Sequence, residues 1–184
     1  MSETYEIAII VGSLRNESWN RKLIEAMAAL APKTLSFRFI EIGDLPFYNQ
    51  DLETDTPPTA WTRFRDEMKG VDGVLFATPE YNRTVPAVLK NAIDVGSRPY
   101  GASVWSGKPA GIVTASMGAT GGFGANHHLR QSLVFLDMPT LQQPEAYIGK
   151  VQDVVTEDGV VDSSRDFLAG FMSAFAKLVE IHKS

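Results

Sequence analysis

The 184-residue chain contains no cysteine. A disulfide, a thiolate nucleophile, a dithiol redox pair and a cysteine-ligated iron–sulfur cluster are thereby excluded, and any electron transfer must be carried by a bound organic cofactor. Basic residues are few as well: 17 Lys and Arg against 22 Asp and Glu leave a net charge of −5. They form no cluster, so a general nucleic-acid binder is excluded and an anion must be caught locally, as by Arg15. No apolar stretch approaches the ~20 residues needed to span a bilayer, and Met1 to Glu6 lacks the positive-then-apolar order of a secretory signal. A soluble, cytoplasmic protein without a membrane partner is expected. Internal repeats and low-complexity tracts are missing too. So are the Gly-x-x-x-x-Gly-Lys-Ser/Thr spacing of a nucleoside-triphosphate loop and the Gly-x-Gly-x-x-Gly dinucleotide fingerprint. Of only three histidines, His127 and His128 are adjacent, so on a helix they diverge and cannot share a metal ion.

What is present is a core-forming composition, 44% hydrophobic, in a length that fits one domain, residues 1–184. Tyr5 to Val11, Leu35 to Ile42, Val71 to Thr78 and Ala110 to Ser116 are short apolar runs rich in β-branched residues, with Thr140 to Gln142 a weaker fifth. Near-continuous apolar strands of this kind suit a parallel sheet covered on both faces. Helical spacing occupies Ser18 to Ala31, Thr59 to Lys69 after a Pro-Pro entry, Val85 to Val95 beside Pro86, His127 to Leu136, and about Ser163 to His182. Asp44 to Pro58 and Gly149 to Asp162 are surface connections, the second with a hairpin around Glu157-Asp158-Gly159. Trp61, Phe64 and Trp105 are assigned to the core. The alternation is that of a doubly wound α/β sheet, which binds ligands at the carboxyl ends of its strands near the point where strand order reverses. The loops after strands one, three and four should converge there.

The first of these, Gly12-Ser13-Leu14-Arg15-Asn16-Glu17-Ser18-Trp19-Asn20, puts hydroxyls and a guanidinium where a helix begins. Unpaired amides and the positive end of the macrodipole make that a place to hold a phosphate. Taken alone, it is equally a plain start in which Ser18 is an N-cap and Arg15 lies in solvent. The second loop, Pro79-Glu80-Tyr81-Asn82-Arg83-Thr84, leads into Val85-Pro86-Ala87-Val88-Leu89-Lys90-Asn91-Ala92-Ile93-Asp94. Its turn can present backbone donors and acceptors to the polar edge of a flat ligand, with Tyr81 as an aromatic wall. The bland alternative puts Tyr81 in the core and Glu80 at a helix end. Lys90, Asn91 and Asp94 read as structural, on a helix surface where a local ion pair suffices.

Together, Gly12-Ser-Leu-Arg-x-x-Ser-x-Asn20 and Pro79-Glu-Tyr-Asn followed by Pro86-x-x-Leu-Lys-Asn-Ala-Ile-Asp resemble the NAD(P)H-dependent FMN reductase family, closest to its chromate and quinone reductase members. The resemblance runs from the first strand through Pro144-Glu145. It implies a flavodoxin-like three-layer αβα sandwich with a five-stranded parallel sheet in the order 2-1-3-4-5. It further implies noncovalent FMN, with Ser13, Arg15, Ser18 and Asn20 on phosphate or ribityl and Pro79, Glu80, Tyr81 and Asn82 flanking the isoalloxazine. NADPH or NADH would give a hydride to the flavin, and two electrons would pass by a ping-pong route to a quinone or another small acceptor, including chromate, ferric chelates, azo and nitro compounds. No side chain is then required as acid or base. Family members assemble as homodimers and homotetramers, with the His127 to Arg130 region near subunit contacts. A flavodoxin-like electron carrier and a reductase that hands its flavin to another enzyme are the alternatives; the modest charge, with Arg15 and Arg83 in the cofactor loops, favours the enzyme.

The third loop, Ser116-Met117-Gly118-Ala119-Thr120-Gly121-Gly122-Phe123-Gly124, has four glycines that let backbone approach a flat ligand. Ser116 and Gly118 are its candidates, beside the flavin pyrimidine edge in related reductases, where amides would stabilise negative charge on the reduced ring. Ser116 also invites a hydrolase reading, but Thr114-Ala115-Ser116-Met117-Gly118 lacks the first glycine of a nucleophile elbow.

Overall fold

The strand runs read from the sequence assemble, in the computed structural model, as one parallel sheet; residues 4–183 are described. Its members are β1 (Tyr5–Val11), β2 (Leu35–Phe39), β3 (Gly73–Thr78), β4 (Ala110–Ala115) and β5 (Ala146–Ile148), in the order β2-β1-β3-β4-β5. Every residue of β3 and β4 is buried, as expected of central strands covered on both sides. Successive residues face opposite layers. Ala8 and Ile10 of β1 join one core with Trp61, Phe64 and Met68 of α2 (Thr59–Lys69), Leu89 and Ile93 of α3 (Ala87–Gly96), and Leu129 and Leu133 of α4 (Phe123–Phe135). Ile7, Ile9 and Val11 join the other, with Leu23, Ile24 and Met27 of α1 (Trp19–Ala28) and Leu168, Phe171 and Phe175 of α5 (Asp162–Lys183). The result is the flavodoxin-like three-layer sandwich. Strand order reverses between β1 and β3.

The expected fifth strand at Thr140 to Gln142 is corrected. Thr140 makes only an isolated parallel bridge to Ala110, and the strand proper, Ala146–Ile148, pairs with Val113 to Ala115 further along β4. α4 begins at Phe123, ahead of the expected His127, because Gly122 turns left-handed (φ 77°) and sets the helix start. The hairpin around Glu157 forms as β6 (Val155–Thr156) and β7 (Gly159–Val160). Trp61, Phe64 and Trp105 are core residues. Lys90 pairs with Asp94 one helical turn away, and buried Asn91 pins the Asp44 to Pro58 loop through the Leu45 and Pro46 carbonyls and the Tyr48 amide. No helix among the described residues is long and apolar enough to cross a membrane.

Candidate functional site

β1 hands the chain to the first loop through Gly12, whose amide continues the ladder to the Ala77 carbonyl at 2.8 Å. A side chain is not admitted there: a Cβ would lie 2.4 Å from Thr78 Oγ1. After Leu14 and Arg15, both exposed, Ser18 caps α1, its Oγ accepting the Arg21 amide at 3.3 Å. The first turn of α1 carries no acidic residue, and Glu17, the acid nearest in sequence, pairs with Lys22 instead. Arg15 therefore presents a guanidinium with no salt bridge among the described residues, next to a helix start whose first amides have no intrahelical acceptor. Ser18 takes the N-cap reading: its oxygen caps the helix, and the hydroxyl proton remains to be donated.

Asn20 is 4% exposed. Its Oδ1 accepts the Ala115 amide at 3.1 Å and its Nδ2 donates to the Ala115 carbonyl at 3.3 Å. One side chain thus ties the start of α1 to the end of β4, and one amide hydrogen is left for a ligand.

Beyond β3, Thr78 Oγ1 donates to the Pro79 carbonyl, and the chain then doubles back. Tyr81 and Thr84 exchange backbone hydrogen bonds of 2.8 and 2.9 Å, with Asn82 (φ 50°) and Arg83 (φ 68°) both left-handed between them, the pattern of a type I′ turn. Tyr81 is 51% exposed, so it is not a core residue. Glu80 does meet a helix end: its Oε2 accepts the Ala125 amide at 3.1 Å near the start of α4. Burial pushes its carboxyl upward, but the hydrogen bonds from Ala125, Arg83 and Gly124 outweigh that and hold it below the ordinary value.

The third loop docks on β5 and the turn after it. The Ser116 amide reaches the Ile148 carbonyl, the Lys150 amide reaches the Gly118 carbonyl, and the Val151 amide reaches the Ser116 carbonyl, all at 3.0 to 3.1 Å. Its glycines serve this docking more than a ligand. A Cβ at Gly121 (φ 61°) would lie 2.4 Å from the Tyr147 carbonyl carbon, and one at Gly122 would lie 2.9 Å from Thr114 Cβ. Gly118 alone of the four has open space, with nothing nearer than Ser116 Oγ at 3.9 Å.

The three loops enclose a cleft of about 520 Å³ including its mouth, at the carboxyl ends of β1, β3 and β4. Ser13, Arg15, Ser18, Asn20, Pro79, Glu80, Tyr81 and Ser116 line it together. Asn82 and Gly118 are not among its lining residues: Asn82 sits at the tip of the turn, and the Gly118 carbonyl is engaged by Lys150 and Ser116. Trp19, Ala115 and Met117 also line the cleft and escape the sequence reading. Trp19 is hidden by its place in the helical stripe with Leu23 and Met27; adjacency to Ser116 is the only mark on Met117. A larger cleft, about 820 Å³, lies elsewhere, where α2 meets the end of α3. It is walled by the Tyr48–Trp61 stack and the Arg98–Glu53 ion pair, away from the strand ends where this fold places its ligands.

Hydroxyls, a guanidinium and helix amides at one end of the cleft, and an aromatic, backbone-rich wall at the other, suit a flat ligand that carries an anionic group, at the strand ends where this fold places its ligands. The comparisons with known proteins agree. Residues 5–153 match the model of the NADPH-dependent FMN reductase family, and the chain belongs to that family. It is 56% identical to a quinone reductase of Pseudomonas putida over the full length of both proteins. To a 2-hydroxy-1,4-benzoquinone reductase of a Burkholderia species it is 45% identical, over 95% of this chain and 96% of that one. Among solved structures it is similar to FerB, a flavoenzyme NAD(P)H:(acceptor) oxidoreductase of Paracoccus denitrificans, with a TM-score of 0.91 and 39% identity over 97% of this chain and 99% of that one.

Proposed function

We propose that residues 1–184 act as a single domain that binds FMN in this cleft, takes reducing equivalents from NADPH or NADH, and delivers two electrons to a quinone. The observation that carries the reading is the convergence of Ser13, Arg15, Ser18 and Asn20 with Pro79, Glu80, Tyr81 and Ser116 at the β1/β3 switch point. The donor set suits a phosphomonoester, since a guanidinium with no salt bridge among the described residues, two hydroxyls and a helix whose first turn holds no acid complement about −1.5 to −2 charges. When bound, FMN supplies the electron chemistry, accepting a hydride from nicotinamide and releasing two electrons to the acceptor.

The protein's part is orientation. Arg15 and Ser13 would hold the phosphate, and Ser18 and Asn20 the ribityl chain. The Pro79 to Tyr81 backbone would hold the ring, with Asn82 fixing the turn; Ser116 would contribute from the third loop, where the Gly118 carbonyl helps to fix the loop. Tyr81 and Met117 are more than half exposed, so the mouth of the cleft would admit donor and acceptor in turn, which calls for ping-pong kinetics. The reductases of quinones among its relatives support a quinone as acceptor, with chromate, ferric chelates, azo and nitro compounds as further ones. A nicotinamide donor fits a cytoplasmic setting. Self-association as a homodimer or homotetramer is supported by Val134 and Phe135 of α4, 74% and 88% exposed; sedimentation at the monomer mass at micromolar concentration would refute it.

The deciding experiment adds FMN to the purified chain, records the flavin spectrum, and follows NADPH and NADH oxidation at several benzoquinone concentrations. Bound yellow cofactor and parallel double-reciprocal lines are expected. A preparation that takes up no FMN and oxidises neither nucleotide would sink the proposal.

A further inference from the structure

Glu80 stands where two elements meet. Its Oε2 accepts the Ala125 amide, close to the start of α4, while Oε1 pairs with Arg83. The approach depends on residue 124 being glycine, because a Cβ there would lie 2.9 Å from Glu80 Oε2. The same side chain lines the cleft beside Tyr81 and Ser116. α4 has 13 residues, no acidic residue in its first turn and no side-chain cap from Gly122. Its positive end is therefore met by one carboxylate, supplied from the cofactor loop.

We propose that Glu80 sets the reduction potential of the bound flavin, its carboxylate offsetting the positive end of α4 at the cleft wall so that the reduced ring receives less stabilisation from that helix. The inference rests on the flavin site proposed above. A hydride brings two electrons and one proton, so a neutral flavin gains one negative charge, and a nearby positive helix end would favour that state. A carboxylate in the same place opposes it. Glu80 is ionised at neutral pH, since its carboxyl is held below the ordinary range. No bond is made or broken at Glu80; the electrons come from the nicotinamide nucleotide and leave with the acceptor.

Glu80→Gln keeps an acceptor oxygen for the Ala125 amide and removes the charge. It is expected to tighten reduced over oxidised FMN about tenfold, a rise of ~30 mV in the two-electron potential. Arg83→Gln is the opposite perturbation: it removes the counter-cation of Glu80 from a side chain 81% exposed, where the fold does not need it, and should lower the potential. Both are read on the full chain loaded with FMN by equilibrium redox titration against indicator dyes, alongside the thermal midpoint of the protein without FMN. A merely structural Glu80 would move the thermal midpoint and the FMN dissociation constant, leaving the potential unchanged. An unmoved potential in Arg83→Gln, and in Glu80→Gln where that variant folds, overturns this inference alone. Wild-type protein that holds no FMN overturns it together with the proposed function.

Discussion

Arg15 is the residue with most to lose or gain from a ligand. It makes no salt bridge among the described residues and sits beside a helix whose first turn holds no acid. Arg15→Ala should weaken FMN binding by about 1.5–3 kcal/mol, the range for hydrogen bonds to charged groups, as read by quenching of flavin fluorescence on titration. Unchanged affinity would remove Arg15 from the phosphate site. Asn20 belongs to a different class of effect. Oδ1 and one Nδ2 hydrogen of its buried side chain are engaged by Ala115, so Asn20→Ala strands a buried amide and carbonyl and should cost about 1–3 kcal/mol of stability even without FMN, seen as a lower urea midpoint. The family resemblance implies Asn20 as a ligand contact and cannot reveal this bond, whose partner lies 95 positions away. Ser18 shows the reverse: its N-cap role is local and legible, because capping needs only a hydroxyl before a helical stripe. Glu80 meets the start of α4, as its structural reading has it, and also lines the cleft; no pattern in the chain would separate the two placements.

At the scale of elements, strands and helices with strong local signals are found where periodicity places them. Tyr5–Val11 and Thr59–Lys69 coincide with their expected bounds. β5 does not, for a physical reason: three residues are too few for any periodicity, and Ala146–Ile148 is fixed by the third loop packing against it. Thr140 mimics a strand because it bridges Ala110 once before the chain leaves the sheet. That packing makes a prediction of its own. Gly121→Ala introduces a Cβ 2.4 Å from the Tyr147 carbonyl carbon at a left-handed backbone position. It should destabilise the protein by about 1–3 kcal/mol, as overpacking does, and displace Ser116 from the cleft, so that urea denaturation and FMN affinity change together. A stability loss with FMN affinity intact would uncouple the third loop from the site.

Across the whole molecule, three carboxylates clasp segments distant in sequence. Glu53 is lowered by the hydrogen bond from Arg98 and then by that from Tyr48. Asp72 is raised by burial but lowered further by Lys183 and the Glu6 amide; Glu80 behaves alike. Each is depressed in the folded state, so each contributes stability above the ordinary carboxylate range of about 4 and loses it as pH falls through its lower folded value. The thermal midpoint should be level from neutrality to about pH 5 and decline below about pH 4, and a scan of melting against pH tests this. A midpoint that holds through pH 3 would mean the clasps do not bear on the global fold.

The bond from Asn20 to Ala115 also sets a moment in the life of the chain. Its two ends are brought together across β3, which lies between β1 and β4 in the sheet. A nascent polypeptide that has emerged only as far as the second loop already carries the first two walls of the cleft, yet nothing holds them in register with the third. If the cleft holds the flavin as proposed, cofactor uptake during synthesis would wait for β4 and for β5, on which the third loop docks, and FMN capture by a lengthening chain would mark the point at which the sheet has closed across its centre.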